Sequence, residues 1–390
     1  MKEAAALDLE GAAFLRELTR LRRRLPPELA AAVLEQTRLR RRAAAKFSRS
    51  ESMLFTPEGL EQASGERVAA HTAARYRDYA LVADICCGIG GDTLALAQHC
   101  QVEAYDRDPL RLACAEHNAA VYGVSGQVRF HLADVETMPI PTVDAIFYDP
   151  GRRVEGRRIF ALTDYRPPVS LIERWLPAAP AIGVKVAPGV AHDEVVWPCE
   201  QEFVAEGHDL KEALLWFGPL AAAGRRATLL PSGATLVSSN PSRPPLGEPL
   251  AWLYDPSAAV TRAAVIWELA EQLGARQLDP EIAYLTTAER RETPFARIYS
   301  IEEWHPFNLK RLKARLRQLG VGRVTVRKRG SPLDPEALER RLRGEGINTR
   351  VLILTRLRGV LIAIICRGLP NPLPPSLERK GEETGAANEI

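Results

Sequence analysis

Short apolar runs alternate with helical segments through the middle of the chain. The runs that predict strands cover residues 82–85, 102–106, 128–132 and 143–148. A helix is predicted at residues 109–122, because Pro109 suits a first helical turn and Gly123 is a typical helix stop. Strands that alternate with helices predict an α/β fold with a parallel sheet, whose ligands bind beyond the carboxyl ends of the strands.

Apolar runs continue in the second half of the chain. Strands are predicted at residues 181–186, 210–217 and 227–230, and the last two are expected to form a terminal hairpin. The proline-rich stretch 240–249 indicates a boundary, and residues 258–273 predict one apolar helix.

The two ends of the chain have patterns of their own. Leucines at helical spacing, interrupted at Pro26 and Pro27, predict helices near the N-terminus. Helices at 307–319 and 335–343 with strands at 323–328, 351–354 and 360–365 predict a small C-terminal α+β layer. The predicted organisation is a helical domain at 1–78, an α/β domain at 79–245, a connector at 246–284, an α+β domain at 285–368 and a disordered tail at 369–390.

Charge is distributed unevenly over these segments. The 390 residues carry a net charge of +3, but residues 51–299 carry −11. Residues 1–50 hold 12 Lys and Arg against 6 Asp and Glu, and residues 300–370 hold 16 against 6. This asymmetry indicates that the ends, rather than the middle, meet a polyanion such as RNA. For the basic run 38–42, a solvated helix face and an RNA contact remain open alternatives.

A glycine turn follows the first strand and carries the strongest chemical signal. Gly88, Gly90 and Gly91 let the backbone approach a ligand closely, but Thr93 stands where a dinucleotide-binding motif has its third glycine. The carboxylates on either side, Asp84 and Asp92, would repel a pyrophosphate. A cationic ligand suits the turn better, which favours S-adenosylmethionine over a dinucleotide.

Acidic residues also end the next three strands. Asp106 follows the second strand about 20 residues after the turn, a spacing typical of a carboxylate that binds ribose hydroxyls. Asp134 follows the third strand and is placed to accept an adenine amino group. Asp149 and Pro150 follow the fourth strand at the same sheet edge. Asp134 and Asp149 could alternatively serve only as caps.

Residues 102–150 resemble class I S-adenosylmethionine-dependent methyltransferases, and 108–124 and 55–63 are similar to the trimethylguanosine synthase branch. The whole chain resembles bacterial methyltransferases that end in a THUMP-like domain. The resemblance implies a Rossmann-like catalytic domain, an N-terminal helical domain and a C-terminal α+β THUMP-like domain. It implies a cofactor site made of Asp84, Cys86, Gly88, Gly90, Gly91, Asp106, Arg107, Asp134 and Val135.

By the same resemblance, Asp149 and Pro150 begin the catalytic tetrapeptide, whose side chain and carbonyl hold a target amine. The usual second proline and stacking aromatic are replaced by Gly151 and Arg152. An arginine can stack on a base and pair with phosphate, so Arg152 and Arg153 are candidate substrate contacts. Two aromatic residues elsewhere could supply the missing ring, Tyr165 and Trp197.

The basic C-terminal domain resembles the RNA-binding appendages of tRNA-modifying enzymes. Its candidate phosphate contacts are Arg311, Arg315, Arg327, Lys328 and Arg329. The sequence therefore favours methyl transfer to RNA, either tRNA or rRNA, with a base amine as acceptor. A small-molecule methyltransferase, a non-catalytic RNA-binding protein with a relic cofactor pocket, and a C-terminal dimerisation domain remain alternatives.

Cysteine usage indicates neither a metal site nor a disulfide framework, because none of the six cysteines forms a C-x-x-C pair. Cys86 and Cys87 could suggest a nucleophile, but core packing is favoured at their position in the turn. Charged residues near the N-terminus argue against a signal peptide, and Arg356 and Arg358 interrupt the most apolar late stretch. A cytoplasmic protein without a membrane span is expected.

Overall fold

The computed structural model describes residues 12–151, 153–154, 157–158, 161–207 and 209–368. They form two compact units. The first consists of the described part of Met1–Ser238 with Ala258–Val265, and the second of Ser239–Ser257 with the described part of Ile266–Ile390. The expected disordered tail, 369–390, lies outside the described residues.

Helices open the first unit. They are α1 (Ala12–Arg22), α2 (Pro27–Ala43), α3 (Pro57–Gln62) and α4 (Glu66–Ala73). The predicted break at Pro26 and Pro27 is confirmed, since Pro27 is the first residue of α2. Leu39, Phe47 and Leu60 are buried in the same apolar cluster as Val82 of the sheet. The helices α2, α3 and α4 therefore share their core with the α/β sheet instead of forming a domain with a core of its own.

Strands and short helices follow in the expected order. They are β1 (Leu81–Ile85), α5 (Gly91–Leu96), β2 (Gln101–Asp106), α6 (Pro109–Tyr122), β3 (Val128–Leu132), β4 (Ala145–Tyr148), β5 (Arg153–Val154), β6 (Arg157–Arg158), α7 (Ile172–Trp175), β7 (Ala181–Val186), β8 (Glu200–Glu206), β9 (Asp209–Trp216), β10 (Arg225–Leu230) and β11 (Ala234–Val237). The predicted bounds of α6 are confirmed. Asp108 caps its first turn, and Gly123 ends it with a φ of 74°.

Nine of these strands form one sheet in the order β11-β10-β8-β9-β7-β4-β1-β2-β3. The strands β3, β2, β1, β4 and β7 run parallel. Ile85 at the end of β1 is in register with Tyr105 of β2 and Tyr148 of β4. The residues after these strands, among them the glycine turn and Asp149, therefore meet at one sheet edge.

The expected hairpin between the last two predicted strands is wrong. The strand β8 lies between β9 and β10, pairing antiparallel with β9 and parallel with β10. Its sequence looks polar because it contains Glu200 and Glu202, yet both side chains are fully buried. Arg75 of the N-terminal segment forms ion pairs with both carboxylates, which permits their burial.

The second unit is built on another sheet. Its elements are β12 (Trp252–Pro256), α9 (Ile266–Leu273), β13 (Arg276–Asp279), β14 (Ile282–Thr287), β15 (Ala296–Pro306), α10 (Leu309–Gln318), β16 (Val321–Lys328), α11 (Pro335–Leu342), β17 (Asn348–Leu357) and β18 (Val360–Gly368), while α8 (Ala258–Arg262) belongs to the first unit. The strand order is β13-β14-β12-β15-β18-β17-β16. The sheet curves enough for β13 to contact β17, although four strands separate them in this order.

Two predictions for this region need correction. Residues 246–284 do not form a connector, because β12, β13 and part of β14 pair within the same sheet as β15. The expected helix at 258–273 is divided at Ala264, whose φ of 52° is incompatible with a continuous helix. The predicted helices and strands after residue 307 are confirmed, with α10 and α11 packed on Val324 and Val326 of β16. In the part of the chain that the structure describes, no helix is long and apolar enough to cross a membrane.

Candidate active site

A cavity of about 460 Å³ opens at the sheet edge where β1, β2, β3 and β4 end. Nine of the predicted cofactor and catalytic residues line it: Cys86, Gly88, Gly91, Asp106, Arg107, Asp134, Val135, Asp149 and Pro150. Asp84 and Gly90 do not line it. Asp84 is buried behind the turn, and Gly90 lies so close to α6 that a Cβ there would be 3.3 Å from the Cβ of Ala115.

The glycine turn has the backbone geometry that its sequence predicts. Gly88 and Gly90 have φ angles of 58° and 90°, which favour glycine. A Cβ at Gly88 would meet no atom within 4 Å, so this backbone faces the open cavity. The turn therefore leaves room for a ligand directly against the main chain.

Asp106 is held firmly at the wall of this cavity. Its Oδ2 accepts a hydrogen bond from the Gly88 amide at 2.8 Å, and its Oδ1 accepts one from the Asp108 amide at 2.9 Å. A carboxylate can accept about four hydrogen bonds, so capacity remains for a ligand's hydroxyl groups. Asp134 is likewise oriented, since its Oδ1 accepts from the Glu136 amide at 3.0 Å. These oxygens can accept hydrogen bonds from the ribose hydroxyls and the adenine amino group of a nucleoside cofactor that carries a cationic sulfonium.

Asp84 and the two thiols of the turn have raised pKa values. Burial raises the pKa of Asp84 to about 8, and its Oδ2 accepts a hydrogen bond from the Thr93 hydroxyl. Burial also raises the pKa of Cys86 and Cys87 well above the usual value, so both thiols are neutral near pH 7. Neutral thiols are poor nucleophiles. Cys87 is buried in the apolar core as expected, whereas Cys86 is half-buried and lines the cavity.

Sequence reasoning missed one wall of the cavity. It is formed by Gly59, Glu61, Gln62 and Ala63 of the α3 region. The Lys46 ammonium donates hydrogen bonds to the carbonyl oxygens of Leu60 at 2.8 Å and Ala63 at 2.9 Å, which fixes the end of α3. The similarity of residues 55–63 to the trimethylguanosine synthase branch was the sequence signal that could have located this wall. Arg111, Arg166 and Pro167 also line the cavity without having been predicted.

Asp149 lines the cavity, with its side chain 22% exposed. Its amide donates to the carbonyl oxygen of Ile85 at 3.1 Å, which ties it to the end of β1. Its Oδ2 is 2.6 Å from the Nζ of Lys185, a residue that sequence reasoning missed. No sequence motif pointed to Lys185, because it lies within the apolar strand β7.

The unusual third residue of the tetrapeptide has a steric cause. Gly151 forms a β-bridge with Arg166. A Cβ at position 151 would lie 2.8 Å from the carbonyl oxygen of Arg166, so a larger residue would displace the returning chain. Neither suggested replacement ring lines the cavity: Tyr165 is buried and accepts a hydrogen bond from the Ala187 amide, and Trp197 donates to Glu173.

The predicted arginine contacts beside the tetrapeptide stay predictions. Arg152 lies outside the described residues, and Arg153 is described only as part of the short strand β5.

The five predicted cations of the second unit do not form one surface. Arg311 and Arg315 are exposed on α10, which covers the sheet face of Val324 and Val326. Arg327 follows Val326 along β16 and so belongs to the opposite face. Arg329 forms an ion pair with Asp255 at 2.9 Å and donates to the Pro256 carbonyl. Its guanidinium is therefore part of the internal structure of the second unit.

Comparison with known proteins agrees with this geometry. Two proteins of Mycobacterium tuberculosis strains, described as uncharacterized S-adenosylmethionine-dependent methyltransferases, are 35% identical over 311 residues, which are 78% of this chain and 85% of theirs. The chain belongs to the S-adenosylmethionine-dependent methyltransferases. It is an enzyme of this class, and S-adenosylmethionine is its cofactor.

Other similarities cover parts of the chain or its fold. The family described as RNA cap guanine-N2 methyltransferase matches residues 79–162, and the family described as THUMP domain-like matches residues 296–368. The trimethylguanosine synthase of Schizosaccharomyces pombe is 30% identical over 115 residues, which are 26% of this chain and 48% of that protein. A solved structure assigned as a methyltransferase, from Porphyromonas gingivalis W83, has the same fold, with a TM-score of 0.75 and 24% identity over 89% of this chain and 92% of that one.

Proposed function

We propose that this methyltransferase modifies an exocyclic amine of a base in RNA. Asp149 carries this proposal. Its Oδ2 is held by Lys185, and among the residues that the structure describes no group donates a hydrogen bond to its Oδ1. A carboxylate oxygen is an acceptor and suits the two N–H groups of an amine, with the Pro150 carbonyl as the expected second acceptor.

The reaction requires little acid–base chemistry from the protein. S-adenosylmethionine supplies a methyl group already activated by the sulfonium. Asp149 orients the amine nitrogen toward that group and accepts the proton that the nitrogen loses as its bond to the methyl carbon forms. Asp106, Asp134 and the Gly88 backbone hold the nucleoside portion of the cofactor.

The choice of RNA rests on two further observations. The families that match the chain are described as acting on an RNA cap guanine and as THUMP domain-like. Residues 300–370 carry a net charge of +10, from 16 Lys and Arg against 6 Asp and Glu, and a basic segment of this kind favours a polyanionic partner. Exposed cations such as Arg311 and Lys328 would contact phosphates.

The test is methylation of total RNA from a strain that lacks the gene. The enzyme is incubated with this RNA and isotopically labelled S-adenosylmethionine, and nucleosides are then identified by mass spectrometry. We expect label on an exocyclic nitrogen of a base. Label on a ribose or a ring carbon would contradict the amine proposal, and label confined to a small-molecule fraction would contradict the RNA proposal.

The same assay tests Asp149. We expect Asp149→Ala to bind cofactor like the wild type and to lower the transfer rate by about 10² to 10⁴, because an orienting and proton-accepting group is lost. Asp209→Ala is the matched control, since Asp209 is exposed at the start of β9 and does not line the cavity. Wild-type rates for Asp149→Ala would remove Asp149 from the acceptor site.

A further inference from the structure

A buried cation lies beside Asp149 at the wall of the cavity. Lys185 lies in β7, and only 2% of its surface is exposed. Its Nζ donates to Asp149 Oδ2 at 2.6 Å, to Ser64 Oγ at 2.8 Å and to Asp92 Oδ2 at 3.3 Å. The shortest of these contacts is with Asp149, which is also the partner closest to solvent.

The position is unusual for a lysine. Every residue of β7 is buried, and its other members are Ala, Ile, Gly and Val. A buried ion pair contributes little more stability than well-packed apolar side chains, because desolvation offsets the attraction. Stability alone therefore gives a weak reason for an ammonium at position 185.

The acids around Lys185 differ in how they are partnered. Asp92 Oδ2 accepts from both Ser64 and Lys185, while its Oδ1 is buried without a partner among the described residues. Glu212 is buried and accepts from the Thr72 hydroxyl. Burial raises the pKa of Asp92 and raises that of Glu212 to about 7. Asp149 is the carboxylate of this cluster that combines a short bond to Lys185 with exposure to the cavity.

We propose that Lys185 is the positioning residue of the acceptor site, an inference that rests on the proposed role of Asp149. Its ammonium holds Asp149 Oδ2, and this fixes the rotation of the carboxylate so that Oδ1 is presented to the acceptor amine. Ser64 and Asp92 in turn hold the ammonium in place. Lys185 does not touch the acceptor and acts only through Asp149.

The experiment compares Lys185→Met, Asp149→Ala and the double variant, using total RNA from the deletion strain as acceptor. Lys185→Met should lower the maximal transfer rate about 10- to 100-fold, because the acceptor is misplaced, while KM for S-adenosylmethionine stays within about threefold. The double variant should be no slower than Asp149→Ala, since the two residues act as one unit. Lys211→Met is the matched control at a partly exposed lysine of β9 and should transfer at the wild-type rate.

Substitution of a buried lysine can unfold the protein, so the experiment needs a control for folding. Lys185→Met leaves Asp92 and Asp149 without their cation, which is destabilising. The variant Lys185→Met/Asp92→Asn removes one of those charges and keeps an oxygen that can accept from Ser64. Binding of S-adenosylhomocysteine by calorimetry and the circular dichroism spectrum show whether each variant is folded. The charge-balanced variant should be folded and bind normally, and still transfer slowly.

The outcomes separate the two proposals. If Asp149→Ala transfers at the wild-type rate, the proposed function fails. If Asp149→Ala is slow but Lys185→Met or its charge-balanced form transfers at the wild-type rate, only the role of Lys185 fails. Losses that multiply in the Lys185→Met/Asp149→Ala variant would also overturn it, because they would show that Lys185 acts independently of Asp149.

Discussion

Gly59 of α3 lies directly against Ile89 of the glycine turn. A Cβ at position 59 would be 2.5 Å from Ile89 Cγ2 and 2.7 Å from the hydroxyl of Thr56, which caps α3. The N-terminal segment is therefore packed onto the glycine turn. This contact joins a segment expected to be a separate helical domain to the proposed cofactor site.

Gly59→Ala should weaken cofactor binding. The added methyl group overlaps Ile89, and overpacking of this kind costs about 1–3 kcal/mol, part of which shifts α3 away from the turn. Calorimetry with S-adenosylhomocysteine should show a Kd raised roughly threefold to thirtyfold. Gly126→Ala is the control, because a Cβ there meets no atom within 4 Å. Equal affinity in both variants would mean that α3 does not support the cofactor wall.

Asp106→Ala should lower cofactor affinity by roughly 1.5 to 3 kcal/mol, because charged hydrogen bonds to the ribose hydroxyls are removed. Part of the effect comes from the Gly88 amide, which Asp106 holds at 2.8 Å. Calorimetry measures the change, with Asp209→Ala as the exposed control. An unchanged Kd would place the ribose elsewhere.

Asp84 should make the folded state less stable as pH rises. Its pKa is about 8 in the folded protein because of burial, whereas the ordinary pKa of an aspartate is 3.8. Between these values the folded state holds a proton that the unfolded chain has released, so the free energy of unfolding falls with increasing pH, by at most about 1.4 kcal/mol per pH unit for this group. Glu212, with its pKa raised to about 7, acts in the same direction.

Urea unfolding at pH 5, 6, 7 and 8 checks this dependence. Asp84→Asn should reduce the decline, because the amide does not titrate and can still accept from Thr93. Glu202, whose pKa is about 2 through the bonds of its partners His71 and Arg75, titrates below this range. An identical slope in wild type and variant would show that Asp84 is ionised in the folded state.

Arg329→Ala should destabilise the second unit, although the sequence suggested a phosphate contact at this position. Removing the guanidinium leaves the largely buried Asp255 carboxylate without its 2.9 Å partner, at a cost of about 1–3 kcal/mol. Thermal unfolding should show a lower Tm for this variant, and Arg311→Ala, at an exposed position of α10, should leave it unchanged. Equal Tm values would mean that the Arg329 pair contributes nothing to the fold.

RNA binding should depend on Arg311 and Lys328. Both are exposed. Because side chains alternate along a strand, Lys328 lies on the same face of β16 as Val326, which is the face that α10 covers. If both neutralise phosphates of single-stranded RNA, the variant Arg311→Ala/Lys328→Ala should flatten the log-log salt dependence by about 0.7 for each cation removed. Filter binding at several salt concentrations measures the slope, with Lys211→Ala as control. An unchanged slope would assign these cations to a solvated face.

Truncation of the chain near residue 285, the predicted domain boundary, is unsuitable as a test of RNA binding, because it would separate β12 and β13 from their sheet.

Local pattern was sufficient for much of the fold. Apolar runs located β1, β2, β3, β4 and β7, and the proline and glycine signals located both ends of α6. The strand-end rule then brought Asp106, Asp134 and Asp149 to one edge, because parallel strands in a doubly wound sheet all end there. These features depend on residues within a few positions of one another, which a sequence displays directly.

The local sequence pattern failed where the environment of a residue depends on a partner that is distant in the chain. The strand β8 was not predicted, because it contains glutamates whose partner, Arg75, lies about 125 residues away. Arg329 looked available for RNA because Asp255 lies 74 residues earlier. The strands β12 and β13 and the start of β14 were assigned to a connector, because their pairing within the sheet that contains β15 is not visible in any local window.

The sequence by itself determined the class of cofactor and the edge of the sheet where the candidate site residues meet, because a glycine turn and strand-end acids are local features. Only the tertiary structure decided what stands behind Asp149 and what closes the cavity. Lys185 is 36 residues from Asp149 and 121 from Ser64, and α3 reaches Ile89 from the N-terminal segment. Burial of a charge is acceptable only when its partners are in place, and folding alone brings those partners together.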